Sequence, residues 1–250
     1  MNLSGQGTLY IGTRQANGNP GAFRDVAVVS DFKFNLATST IEHKETKTGQ
    51  RLTDNRLQTG KSASLSAVLD DINIDNLALA LYGTKASQTG ASVTNEAFVN
   101  PVAVGDFVRT KYPDISTVVV KDSAGTPATL VLGTHYEITS AKHGTIKFLN
   151  LAAYTQPFKV DYAYATHAHT PMFNTAAPER WLKFDGINTA DADKKILVEF
   201  YRVLLDPLSE LALIQDDFGR LPLAGAALYD DTKVADASYL GQFGRFVHIS

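Results

Sequence analysis

The chain has 250 residues, a 44% apolar and 20% charged composition, and a formal net charge of −3. That is the profile of a folded globular protein with room for one large or two smaller cores, and it disfavours a nucleic-acid binder, which needs a basic face. Cysteine is absent, which excludes a disulfide scaffold, cysteine metal sites and a thiol nucleophile. There is no apolar run long enough to span a bilayer. The N-terminal MNLSGQGTLYIG lacks the basic and apolar regions of a secretory leader, so folding in a cytoplasm is expected.

Thr8–Gly12 reads as a short strand and Asn17–Gly21 as a turn. Asp25–Ile41 reads as a strand that alternates from Phe32, with Phe32, Phe34 and Leu36 on one face and Lys33, Asn35 and Ala37 on the other. His43–Lys61 follows, polar and charged with no apolar period, and reads as a long structureless arm. Ser62–Leu69 is a second alternating strand, with Ser62, Ser64 and Ser66 opposite Ala63, Leu65, Ala67 and Leu69. Ile72–Tyr82 is the one clear helix. Asn73 is placed to cap it, Ile74, Leu77, Ala78 and Leu81 form its stripe, and Gly83 stands where a left-handed residue is wanted.

Lys85–Ser92 and Ala165–Pro171 are small and polar, and between them lie short strands at Thr117–Lys121, Ala128–Leu132, Tyr136–Thr139, Thr145–Leu149 and Phe158–Tyr164. Residues 91–169 therefore read as an inserted small all-β domain within a discontinuous host domain, 1–90 and 170–250. The host resumes with strands at Arg180–Gly186, Lys195–Leu205, Leu221–Leu228 and Leu240–Ile249. The fold class expected is mainly β with one flanking helix. Ser209–Ile214 reads equally as a helical turn or a strand.

No hydrolase, metalloprotease, P-loop or dinucleotide motif occurs, so no catalytic, cofactor or metal site is assigned and an enzyme is not expected. Gly5-Gln6-Gly7 precedes a strand, the wrong setting for a phosphate loop. His167 and His169 would share a strand face, but no carboxylate pair joins them. Asp70-Asp71 and Asp216-Asp217 read as solvated acids rather than convergent ones. Trp181 reads as core. Charge, however, is segregated. His43–Lys61 holds Lys44, Lys47, Arg51, Arg56 and Lys61 against Glu45 and Asp54, a formal +3. Residues 206–250 hold seven acids, among them Asp216, Asp217, Asp230 and Asp231, against three bases, a formal −4. A basic arm and an acidic counter-surface suit a head-to-tail contact between identical subunits, in which Arg51 and Arg56 are the expected carboxylate partners.

Leu9–Gly21, Thr40–Asp54 (TIEHKETKTGQRLTD) and Asp70–Gly83 (DDINIDNLALALYG) together resemble the N-terminal half of major tail tube proteins of long, non-contractile-tailed bacteriophages. The insert, with Gly133–Ile138 and Gly144–Phe148, resembles small β modules of tail proteins. The resemblance implies a tail-tube β-sandwich or barrel protomer, made in the host bacterial cytoplasm, that forms hexameric rings stacked head to tail in the virion. Its partners would be further copies of itself, a tape measure protein, and tail terminator and distal tail proteins, with DNA passing without specific binding. It implies a lumen, for which Lys33, Asn35, Ser62, Ser64 and Ser66 are the candidates, and an insert projecting outward. The competing reading is a β-rich binding module, an adhesin or carbohydrate-binding unit on a structural base, in which Tyr136, Tyr154, Tyr162 and Tyr164 supply a stacking surface.

Overall fold

A computed structural model describes residues 2–99, 101–151 and 153–249. The chain divides into two units, Met1–Lys85 with Thr170–Ser250, and Ala86–His169.

The first unit begins with β1 (Gly5–Arg14), β2 (Pro20–Asp25), β3 (Val29–Lys44), β4 (Thr53–Leu69) and the short helix α1 (Ile74–Ala80). The second contains β5 (Ala86–Gln88), β6 (Ala91–Ala97), β7 (Phe107–Arg109), β8 (Ile115–Lys121), β9 (Tyr136–Ser140), β10 (Thr145–Phe148), β11 (Lys159–Tyr164) and β12 (His167–His169). The first unit then resumes with β13 (Glu179–Asn188), β14 (Lys194–Leu205), β15 (Leu221–Ala227), a 3-10 turn at Asp231–Asp236, α2 (Ala237–Leu240) and β16 (Gly244–Ile249).

In the first unit the antiparallel strand order is β2-β1-β13-β14-β15-β4-β3, and β16 lies beside the first half of β14. The sheet coils strongly: Leu9 and Ile11 of β1 share one core with Leu65 and Leu69 of β4, although three strands separate them. Close approach of β1 to β13 is made possible by Gly7 opposite Gly186, with the Phe184 ring lying over the pair. A Cβ on Gly7 would stand 2.3 Å from the Asp185 carbonyl.

The alternation of β14 changes phase at one place. Arg180 pairs with Val203 and Leu182 with Phe200, so β14 carries one extra residue opposite Trp181. Phe200 keeps to the main core, whereas Tyr201 turns to the other face. There it meets Trp181 at 4.8 Å and donates to the Leu240 carbonyl at 2.7 Å, beneath the 231–240 segment. Burial raises the Tyr201 hydroxyl pKa to about 12, so it remains a donor at neutral pH.

Asn73 caps α1, accepting from the Asn76 amide at 2.9 Å. The buried face is Asn76, Ala78, Leu79 and Ala80 rather than the Ile74–Leu81 stripe. Asn76 is tolerated there because its side-chain amide donates to the Val26 and Asp71 carbonyls and accepts from Arg24. The left-handed residue after the helix is Tyr82 (φ 51), not Gly83. Glycine is needed at 83 for space, since a Cβ would stand 2.3 Å from the Pro171 carbonyl.

The second unit packs sheets β7-β10-β9 and β6-β11-β8 around Phe98, Phe148, Phe158 and Val160, with β5 paired to β12. Lys85–Ser92, expected as a linker, thus contains β5 and the start of β6, and Ala165–Pro171 contains β12. The expected Ala128–Leu132 strand makes only isolated bridges. Ser209–Ile214 has no regular structure.

Candidate assembly surface

The candidate surface is the β3–β4 hairpin. The residues expected to form a structureless arm are mostly paired. Their ladder runs from Thr38 opposite Lys61, through Ile41 opposite Leu57, to Lys44 opposite Thr53. Two bulges on β4 interrupt it, at Thr59 and Asp54. The Thr59 hydroxyl donates to the Ser39 carbonyl at 3.2 Å, and the Asp54 carboxylate lies 2.6 Å from Nδ1 of His43. Only the tip, residues 45–52, is a loop. Glu45 closes it, accepting from the Lys47 and Thr48 amides at 2.8 and 3.0 Å and from the Thr48 hydroxyl. Those bonds, the one from the hydroxyl foremost, hold the Glu45 carboxyl below its usual range. Gly49 (φ 79) and Arg51 (φ 52) make the reversal.

Beyond Ala63 the hairpin leaves the sheet. β15 pairs with β4 only over Ala63–Leu69, so among the described residues the outer half of β4 has β3 as its sole neighbour, and β3 has an open edge throughout. A two-stranded ribbon with open edges is marginal in water and is a template for further pairing. It also exposes large apolar side chains: Leu36 is 67% exposed, Ile41 62%, Leu52 60% and Leu57 65%. Phe34 and Leu36, expected in the core, are therefore largely outside it. Phe32 packs on the core against Phe184, and Phe34 only reaches its rim, 5.5 Å from the Phe200 ring. Leu36 stands opposite Ala63, where β15 leaves β4, and stays mostly exposed.

The basic residues are on this ribbon, and all are exposed. Arg56 is partly engaged within it, 3.9 Å from Glu42 and donating to Thr40. Among the described residues, Lys44, Lys47, Arg51 and Lys61 form no ion pair.

The expected acidic counter-surface is not one surface. Asp230 is wholly buried and held by Arg14, which donates to both its oxygens at 2.9 and 3.1 Å, and by Thr232. It is a structural ion pair, so its place in the counter-surface is corrected. Burial pushes the Asp230 carboxyl up, but the bonds from Arg14 and Thr232 outweigh it and leave it below the usual range. Asp231 is exposed at the start of the 3-10 turn. Asp216 and Asp217 are exposed on the 206–220 connection between β14 and β15.

The lumen candidates do share a face. Lys33 pairs with Ser66, Asn35 with Ser64 and Ala37 with Ser62, and all are exposed. Ala224 opposite Ser66 and Ala226 opposite Ser64 extend this surface of small side chains onto β15. Its lysine is paired with Asp31 at 2.5 Å.

In the second unit, Tyr136, Tyr162 and Tyr164 are buried and Tyr154 partly so, which removes them as an exposed stacking platform. Tyr162 donates to Glu96 at 2.6 Å instead. His167 and His169 have ring centroids 6.2 Å apart, and no further metal-ligating group joins them among the described residues.

These features define a mainly β protein with an exposed, open-edged hairpin. The chain belongs to the family described as "Protein of unknown function UCP028589", which it matches over residues 2–247. No curated protein matches it.

Proposed function

We propose that the chain is a self-assembling structural subunit, the major tail tube protein of a long, non-contractile-tailed bacteriophage. The supporting observation is the β3–β4 hairpin, whose outer half has open edges and exposed apolar side chains. Such a ribbon gains stability when a neighbouring copy supplies the missing strand. Protomers joined in this way form a hexameric ring with a continuous inner wall, and rings stack into a hollow tube in the virion. The Ser62, Ser64, Ser66, Ala224 and Ala226 face supports a lumen through which DNA passes, because phosphates are held by cations and this face offers only the paired Lys33. Tape measure, terminator and distal tail proteins are the implied partners.

Electron microscopy of a hairpin-deleted variant tests this reading. The variant is expected to stay monomeric under conditions where the intact chain forms rings; rings from the variant would overturn it.

A further inference from the structure

We propose that the 206–220 connection receives the hairpin tip of a second copy of this chain. The inference rests on the assembly reading and adds the identity of the contact. The connection holds three large apolar side chains in water: Leu213 is 87% exposed, Ile214 98% and Phe218 87%. It is held at its ends, where Leu208 and Leu211 pack on the core and Arg220 lies 3.6 Å from Asp70. Scattered apolar side chains on a surface are ordinary, but three within six residues mark an interaction site.

Charge selects the occupant. The connection carries Asp206, Glu210, Asp216 and Asp217 against Arg220, a formal −3, and the hairpin segment His43–Lys61 carries a formal +3. Among the described residues, Glu210, Asp216 and Asp217 form no ion pair, and neither do Lys44, Lys47, Arg51 and Lys61. Each surface therefore has a net excess of charge, opposite in sign to the other's.

Position excludes an internal contact. Leu221, which follows the connection, pairs with Leu69 at the inner end of β4, whereas the tip lies at the other end. The 17 residues of β4 separate the two by roughly 55 Å at ~3.3 Å per residue. A surface and its complement at opposite ends of one ribbon give a heterologous contact, which extends as an open stack when its rotation does not close into a ring. Leu213, Ile214 and Phe218 would supply affinity against Leu52 and the Ile41–Leu57 pair. The charges would set direction by rejecting tip-to-tip and loop-to-loop encounters.

The test uses full-length chains, followed by sedimentation velocity and negative-stain microscopy. Leu213→Ser/Ile214→Ser/Phe218→Ser is expected to keep the melting temperature and raise the threshold for stacking at least about tenfold. Lys47→Glu/Arg51→Glu and Asp216→Lys/Asp217→Lys are each expected to abolish stacks alone and restore them when mixed. If the intact chain stacks and the triple-serine variant stacks at the same threshold, the connection is not the receiving surface, although assembly stands. Failure of the mixture to restore stacks overturns the charge pairing. If the intact chain never assembles, this inference and the assembly reading fall together.

Discussion

Leu221 lies opposite Leu69 in the β15–β4 ladder, and both side chains are wholly buried. That pair fixes the end of the hairpin from which the acidic, apolar 206–220 connection leaves. The basic tip is at the other end. In the assembly we propose, direction follows from this one placement.

Stacking should depend on salt. Screening shortens from about 8 Å at physiological ionic strength to about 3 Å at 1 M. Elongation followed by light scattering is expected to slow as salt rises, while stacks already formed persist through their apolar contacts. A rate independent of salt would contradict a steering role for the charges.

Excising residues 41–57 and closing the ribbon with Asn-Gly should leave the fold intact. None of those residues belongs to the core. Circular dichroism is expected to show an unchanged melting temperature, and size-exclusion chromatography a monomer at every concentration.

Alternation from Ser62 makes the inner half of β4 readable in the sequence, alternation from Phe32 marks β3 as a strand but assigns Phe34 and Leu36 to a core they largely miss, and Asn73 marks the start of α1. The ribbon beyond them is not readable, for a physical reason. Both of its faces meet water, so no apolar period of two is imposed, and the Thr59 and Asp54 bulges break what pattern there is. Asp230 looks like a surface acid in sequence because its partner, Arg14, is 216 residues away in the chain. The exposure of Leu213, Ile214 and Phe218 is hidden too, since apolar residues in a sequence look the same whether buried or presented.

Asp230→Ala should cost about 3 kcal/mol, because among the described residues it leaves the nearly buried Arg14 guanidinium with Glu179, 3.6 Å away, as its one remaining ion-pair partner. The pH dependence has a definite sign. The folded Asp230 carboxyl is below its unfolded value, so its contribution is present above about pH 4 and is lost as pH falls through the folded pKa. Chemical denaturation at several pH values is expected to show the difference between wild type and variant shrinking on the acid side.

The proposed lumen face can be mapped by single cysteines, because the chain has none of its own. Ser64→Cys is expected to react with a bulky polymer-linked maleimide in the monomer and to be protected from it in the tube, while a small maleimide reaches it in both. Equal reaction of the bulky reagent in both states would place Ser64 outside the lumen.

Self-assembly itself is read by negative-stain microscopy of the intact chain over a concentration series. Rings that stack into hollow tubes as concentration rises are the expected result. A strictly monomeric particle at every concentration would contradict it.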